Sequence, residues 1–176
     1  MTTIDSLVVL VTTEYGSAEV RTSRGLTVSS FTTICLTPSP FICFSTRQSS
    51  RAADLIAVRR QFVVHLLAST TESAKIAEAF SKSDLAPHAG STTQDPFKLG
   101  QWTRDRWELP VLDGVMGALL CKVDRTVDVG DHRLCIAEVE DMITHDSKGT
   151  ALGYCERSYR KEGRRVFPHD PGEEED

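Results

Sequence analysis

Three clusters of residues have the types and spacings to do chemistry. The first is Gly25-Leu26-Thr27-Val28-Ser29-Ser30-Phe31-Thr32. Its pattern alternates, with Leu26, Val28 and Ser30 on one face of an extended segment and Thr27, Ser29 and Phe31 on the other. A strand with small hydroxyl side chains and open backbone amides accepts a flat polar ring laid against it. Read alone, the same residues are also an ordinary surface strand. The second cluster is Ser45-Thr46-Arg47-Gln48-Ser49-Ser50-Arg51, between an apolar run and a helix-forming run. A helix N-terminus offers unpaired N–H groups and the positive end of its dipole, which suits a phosphate. The Ser49 and Ser50 hydroxyls, with Arg47 or Arg51, would complete a dianion site. A capped helix with two exposed arginines is the simpler alternative. The third cluster is Gly130-Asp131-His132, a tight turn that would hold a histidine at a strand end. Histidine is the side chain whose charge responds to its surroundings near neutral pH.

These clusters need strands and turns to bring them together. Leu7 to Thr13 is a short apolar run rich in β-branched residues and is expected as a buried strand. Glu14 to Ser17 is expected to turn it, Ala18 to Thr22 to pair with it, and Leu26 to Ile34 to form the hydroxyl-bearing strand. Pro38 and Pro40 break the ladder before the buried strand Phe41 to Ser45. The spacing predicts a helix over 50–60 capped by Ser49 or Ser50, a strand over 61–67, and a helix from a Ser69-to-Glu72 capping box to about Phe80. Residues 81–108 read as one long irregular stretch holding Trp102 and Trp107, each needing a packing site. Strands are expected over 115–127, 132–142 and 151–159. Many short strands with two early helices fit a small barrel better than an alternating parallel sheet. No GxGxxG supports a Rossmann site.

Composition narrows the function classes. The 176 residues suffice for one domain with a core, and the net charge of −5 argues against a nucleic-acid binder. A basic stretch from Arg157 to Arg165 is followed by the acidic end Glu173-Glu174-Glu175-Asp176. No apolar run has the length to span a membrane, and Met1 to Ser6 is polar, so an intracellular, cytoplasmic protein is expected. Cys35, Cys43, Cys121, Cys135 and Cys155 form no CxxC pair and read as reduced thiols, with no metal site expected.

Taken in order, further motifs join these clusters. They are Val11-Thr12-Thr13, Gly25 to Phe31, Pro38-Ser39-Pro40, Phe62 to Leu67, Ala77-Glu78-Ala79-Phe80, Pro110 to Gly114, Gly130-Asp131-His132 and Tyr154 to Tyr159. From residue 8 to about 160 this order and spacing resembles the flavin reductase-like family. The resemblance implies a mainly β fold, an FMN-binding split β-barrel with helical crossovers. It would occupy residues 1–165, with 166–176 as an acidic tail. It implies an NAD(P)H:flavin oxidoreductase that uses FMN or FAD, with NADH or NADPH as hydride donor. Thr27, Val28, Ser29, Ser30 and Phe31 would line the ring and ribityl chain. Ser45, Thr46, Arg47, Ser49, Ser50 and Arg51 would hold the phosphate. His132 would be the catalytic residue on the nicotinamide side, and Tyr154 and Arg157 would close the pocket edge. His65 reads as structural. A homodimer and a monooxygenase partner fit the same resemblance. Two other functions remain open: an FMN-binding electron-transfer or storage protein, and a flavin-dependent oxygenase taking its substrate near Trp102 and Trp107.

Overall fold

A computed structural model describes residues 6–17, 19–85, 95–144, 149–155 and 158–161. The expected tail and Arg157 lie outside the described residues. The main sheet has seven strands, all paired antiparallel. They are β2 (Val9–Gly16), β3 (Arg21–Val28), β4 (Thr32–Cys35), β5 (Phe41–Arg47), β6 (Gln61–Leu66), β9 (Gly117–Val129) and β10 (His132–Thr144). Two helices interrupt them, α1 (Arg51–Arg59) and α2 (Thr71–Leu85). A ribbon of β7 (Trp102–Arg104) and β8 (Pro110–Leu112) packs beside the sheet. A small sheet joins β1 (Ser6–Leu7), β11 (Leu152–Cys155) and β12 (Ser158–Lys161). The class is mainly β, as expected.

Strand order explains the shape. The order is β3-β2-β6-β9-β10-β5-β4, so consecutive strands β3 and β4 lie at opposite edges of the sheet. A flat seven-stranded sheet would separate its edges by about 29 Å at ~4.8 Å per strand. The link Ser29-Ser30-Phe31 spans at most about 15 Å at ~3.8 Å per Cα step. The sheet must therefore curl until its edges meet. The backbone ladder does not close the resulting barrel; a side chain spans the gap. The Ser30 hydroxyl accepts from Ser45 N–H at 2.9 Å and donates to Ser45 C=O at 3.0 Å, as a strand partner would.

The curled sheet encloses one core. Val9, Val11, Leu26, Val28, Ile42, Phe44, Phe62, Val64, Cys121, Val123, Cys135 and Ala137 point inward. α1 plugs one end with Ala52 and Ile56, one turn apart on one face. On the outer surface, α2 lays Ile76, Ala77 and Phe80 over Val8 and Leu10. β2 is thus covered on both faces, which is why its sequence runs apolar without alternation. Burial pushes the Cys121 thiol upward and the Cys135 thiol up to about 12, so both are inert.

Several boundaries differ from the sequence reading. The run Leu7 to Thr13 is two strands, because Ser6–Leu7 pairs with β11 while Val9 onward pairs with β3 and β6. β2 continues through the expected turn at Glu14, which is buried and takes hydrogen bonds from Arg21, Ser23 and Arg104. The expected strand Leu26–Ile34 ends at Val28 and resumes at Thr32. This break changes the parity of the alternation, so Phe31 packs against the inner core rather than beside Thr27. At α2 the cap is Thr70, whose hydroxyl accepts from Ser73 N–H at 3.1 Å, not the box drawn from Ser69. The helix runs on to Leu85. Trp102, expected in an irregular stretch, sits in β7 and packs with Phe80, Phe97 and His65.

Candidate functional site

The unclosed corner of the barrel is a cleft of about 330 Å³. One wall is the end of β3 and its continuation, Leu26 to Ser30. The facing wall is the end of β5, Ser45, Thr46 and Arg47, with His132 from the start of β10. Ser81 of α2 completes the lining. The fold thus brings together Thr27, Val28, Ser29, Ser30, Ser45, Thr46, Arg47 and His132, drawn from all three sequence clusters.

Local chemistry builds this corner. Gly130 adopts φ +59° in the two-residue loop between β9 and β10, a conformation glycine takes without steric cost. The turn is fastened to the β5–α1 loop, with Gln48 N–H donating to Asp131 C=O at 3.0 Å and Gln48 Nε2 to Gly130 C=O at 3.2 Å. His132 and Arg47 are directly opposed across β10 and β5. His132 Nδ1 lies 2.7 Å from the Asp131 carboxylate. That hydrogen bond holds the Asp131 carboxyl below its ordinary value, and the charge of His132 acts in the same direction. Since a carboxylate only accepts, it assigns the Nδ1–H tautomer to neutral His132 and leaves Nε2 without a hydrogen-bond partner among the described residues.

The hydroxyls of the cleft divide into two sets. Thr27 Oγ1 donates to Ala77 C=O at 2.6 Å and ties β3 to α2. Ser30 is engaged with Ser45, as described. Ser50 is the N-cap of α1, buried, and accepts from Ala53 N–H at 3.1 Å. These three build the corner. Thr46 is different: its hydroxyl is buried at the cleft wall and has no partner among the described residues. It lies on the inward face of β5 with Ile42 and Phe44. Arg47 and Ser29 are exposed on the same cleft. The donor set of hydroxyls, backbone amides and a guanidinium fits a phosphate-bearing polar ring.

Other predicted residues stand apart from the lining. Ser49 and Arg51 flank the start of α1, next to Arg47 in the chain. Phe31 is committed to the core. Tyr154 lies on β11 against Tyr159, with ring centroids 5.2 Å apart, and does not line the cleft. Ser81 was missed by sequence reasoning. It follows the Ala-x-x-Phe signature by one residue, and only a helix running past Phe80 places it on the cleft.

Two further features surround the site without lining it. Trp107 borders a second, smaller cleft with Glu14, Tyr15, Arg21 and Arg59. Burial alone would push the Glu14 carboxyl up, but hydrogen bonds from Arg104 and Ser23 and the Arg104 charge hold it below its ordinary value. His65 is fully buried, with Nδ1 at 3.0 Å from Leu10 C=O. Burial lowers it to about 4, so it is neutral at pH 7 and structural, as expected.

Residues 1–163 match the family model described as "Flavin reductase like domain". The chain is 44% identical over 69 residues to FMN reductase (NADH) RutF of Pseudomonas syringae pv. syringae, covering 39% of this chain and 38% of that protein. It is 26% identical over 138 residues to the reductase component of the flavin-dependent trigonelline monooxygenase of Acinetobacter baylyi, covering 78% of this chain and 40% of that one. With the NADH:FMN oxidoreductase of Rhodococcus qingshengii it shares 28% over 132 residues, 75% of this chain and 61% of that one. The chain therefore spans 38–61% of the length of these curated relatives. Among solved structures, the nitrilotriacetate monooxygenase component B homolog of Mycobacterium thermoresistibile superposes with a TM-score of 0.76 at 21% identity, over 97% of this chain and 89% of that chain. The Streptomyces globisporus NADH:FAD oxidoreductase SgcE6, solved with NAD and FAD fragments, gives 0.73 at 21% identity, over 93% of this chain and 89% of that chain. These likenesses carry the fold, and the family match adds kinship: the chain belongs to the flavin reductase-like domain family.

Proposed function

We propose that this chain is an NAD(P)H-dependent flavin reductase whose flavin lies in the cleft between β3 and β5. The observation that supports this reading is a single cleft that gathers Ser29, Ser30, Ser45, Arg47 and His132 beside the open main chain at the end of β3. Arg47 would neutralise the flavin phosphate with a charge-assisted bond, helped by Thr46, Ser49, Arg51 and the N-terminal turn of α1. Ser50 would act through its cap, by holding that turn in place. The main-chain groups of Val28, Ser29 and Ser30 would seat the ring, with Thr27 as brace. A bound flavin supplies the acceptor, its N5 taking hydride from nicotinamide C4. The chain's part is positioning, and no protein acid or base is needed. His132 would meet the dinucleotide: with Nδ1 engaged by Asp131, Nε2 accepts an N–H from a donor such as the nicotinamide carboxamide. Phe31 supports the ring wall from the core side. Tyr154 has no support from the cleft lining.

The relatives named as monooxygenase and NADH:FMN reductase components favour reduced flavin passed to an oxygenase, and FMN with NADH as the first pair to test. A homodimer accords with the open cleft, which a second copy would cover. An oxygenase site near Trp102 and Trp107 finds no support, since neither lines this cleft. The deciding assay is oxidation of NADH and NADPH, followed at 340 nm, with and without added FMN. Flavin-dependent oxidation is expected. Tight flavin binding without oxidation of either nucleotide would favour electron transfer or storage instead.

A further inference from the structure

We infer that Ser81 is a specificity-determining residue: it recognises the edge of the flavin ring remote from the phosphate, so that α2 gauges which flavins fit. The inference rests on the flavin reading of the cleft. The family signature stops at Phe80, and Ser81 enters the site only through the geometry of α2.

The direction of the cleft follows from two contacts. Thr27 on β3 bonds Ala77 on α2 at 2.6 Å. Two residues earlier on β3, Gly25 lies against the Phe80 ring, close enough that a Cβ there would fall 2.6 Å from it. The strand ascends as the helix descends, so the two run antiparallel. Ser81, one residue beyond Phe80, therefore stands at the Leu26 end of the cleft. The opposite end is marked by the Ser30–Ser45 hydrogen bonds and by Arg47 facing His132. A ligand with its phosphate at Arg47 and its ring along β3 presents the far ring edge to Ser81.

Ser81 also has the right chemistry. Its side chain is exposed, and its hydroxyl makes no hydrogen bond to another described residue. The neighbouring hydroxyls of Thr27 and Ser30 are engaged elsewhere in the protein. Ser81 is therefore a spare donor and acceptor at the ring end, suited to the C=O and N–H groups of a pyrimidine edge. Its helix cannot drift, because Phe80 is fully buried against Phe97 and Trp102, with centroids at 4.9 and 5.8 Å. The wall is thus a fixed gauge.

The test compares Ser81→Ala and Ser81→Leu with the wild type, titrating FMN and riboflavin separately by flavin fluorescence. Both substitutions suit an exposed helix position, and thermal midpoints should be unchanged. Ser81→Ala should weaken FMN and riboflavin by equal factors, about 2- to 10-fold, the worth of one neutral hydrogen bond. Ser81→Leu, which intrudes on the ring, should weaken both about tenfold or more, the scale on which a pocket discriminates shape. Arg47→Ala serves as contrast and should weaken FMN while sparing riboflavin. Unchanged affinities in both Ser81 variants would overturn the inference. So would a loss confined to FMN, which would move Ser81 to the phosphate end. If the wild type binds neither flavin, the functional reading itself fails; if it binds and the Ser81 variants match it, only this inference does.

Discussion

Replacing Gly25 by alanine tests whether the barrel wall and α2 act as one unit. The added Cβ would lie 2.6 and 2.7 Å from Phe80 Cε1 and Cδ1 and 3.2 Å from the Val11 carbonyl oxygen. Carbon atoms in contact settle at about 3.5–4.0 Å, so the overlap is roughly 1 Å. The Phe80 ring cannot swing aside, since it is fully buried and clamped by Phe97 and Trp102. The strand, the helix or both must shift. Overpacking of this kind costs about 1–3 kcal/mol. The lower entropy of the unfolded alanine chain returns about 0.4–1 kcal/mol, which leaves a net loss of about 1–2 kcal/mol. The shift also strains the Thr27–Ala77 hydrogen bond and moves Ser81, so FMN affinity should fall with stability. Urea unfolding followed by tryptophan fluorescence measures the first effect, and FMN titration the second. Phe80→Leu is the control: it destabilises by itself but makes room for the methyl. The cost of Gly25→Ala should vanish in that background, with a coupling of about 1–3 kcal/mol. An equal cost in both backgrounds would refute the packing argument.

Three more outcomes are expected. Thr46→Val should leave the flavin-free protein as stable or more stable, because a buried unpaired hydroxyl is removed, yet weaken FMN by about 0.5–3 kcal/mol; lost stability with unchanged affinity would remove Thr46 from the site. His65, lowered from 6.5 to about 4 by burial, takes up its proton more readily when unfolded. The stability present above pH 6.5 is therefore lost as pH falls toward 4, by about 3 kcal/mol in all, and His65→Asn should flatten urea midpoints across that window. Arg104→Ala should cost about 1–3 kcal/mol, because the buried Glu14 carboxylate keeps only Arg21 and Ser23 as partners, and Glu14→Gln should cost less, because the Arg104 it leaves behind is exposed to water. The double variant should cost clearly less than their sum in the same unfolding assay; strict additivity would show that the bidentate pair, at 2.8 and 3.1 Å, is not coupled.

Much of the fold was legible in the chain. β-branched runs broken by Pro and Gly gave the strands, Ser49 or Ser50 marked the start of α1, and a short apolar run rich in β-branched residues marked β2 as buried. These are local properties of side-chain shape and backbone freedom. The boundaries that went astray have tertiary causes. Glu14 reads as a turn residue until Arg21 and Arg104 meet it inside a strand. Phe31 follows the alternation of Thr27 until a bend at Ser29 changes its face.

The candidate site divides in the same way. Residue types and order by themselves determined that three clusters, one rich in hydroxyls, one cationic and one bearing a histidine, belong to a flavin reductase-like chain. They could not determine which hydroxyls remain available. Thr27, Ser30 and Ser50 look like ligand groups in the sequence, yet each is engaged by a partner 3–50 residues away. Ser81 is available for the converse reason. Hydrogen-bond capacity is a property of a residue, whereas its unspent share depends on which backbone groups the curled sheet and α2 bring within about 3 Å. That competition is settled only when β3, at one edge of the strand order, and β5, next to the other edge, meet at Ser30.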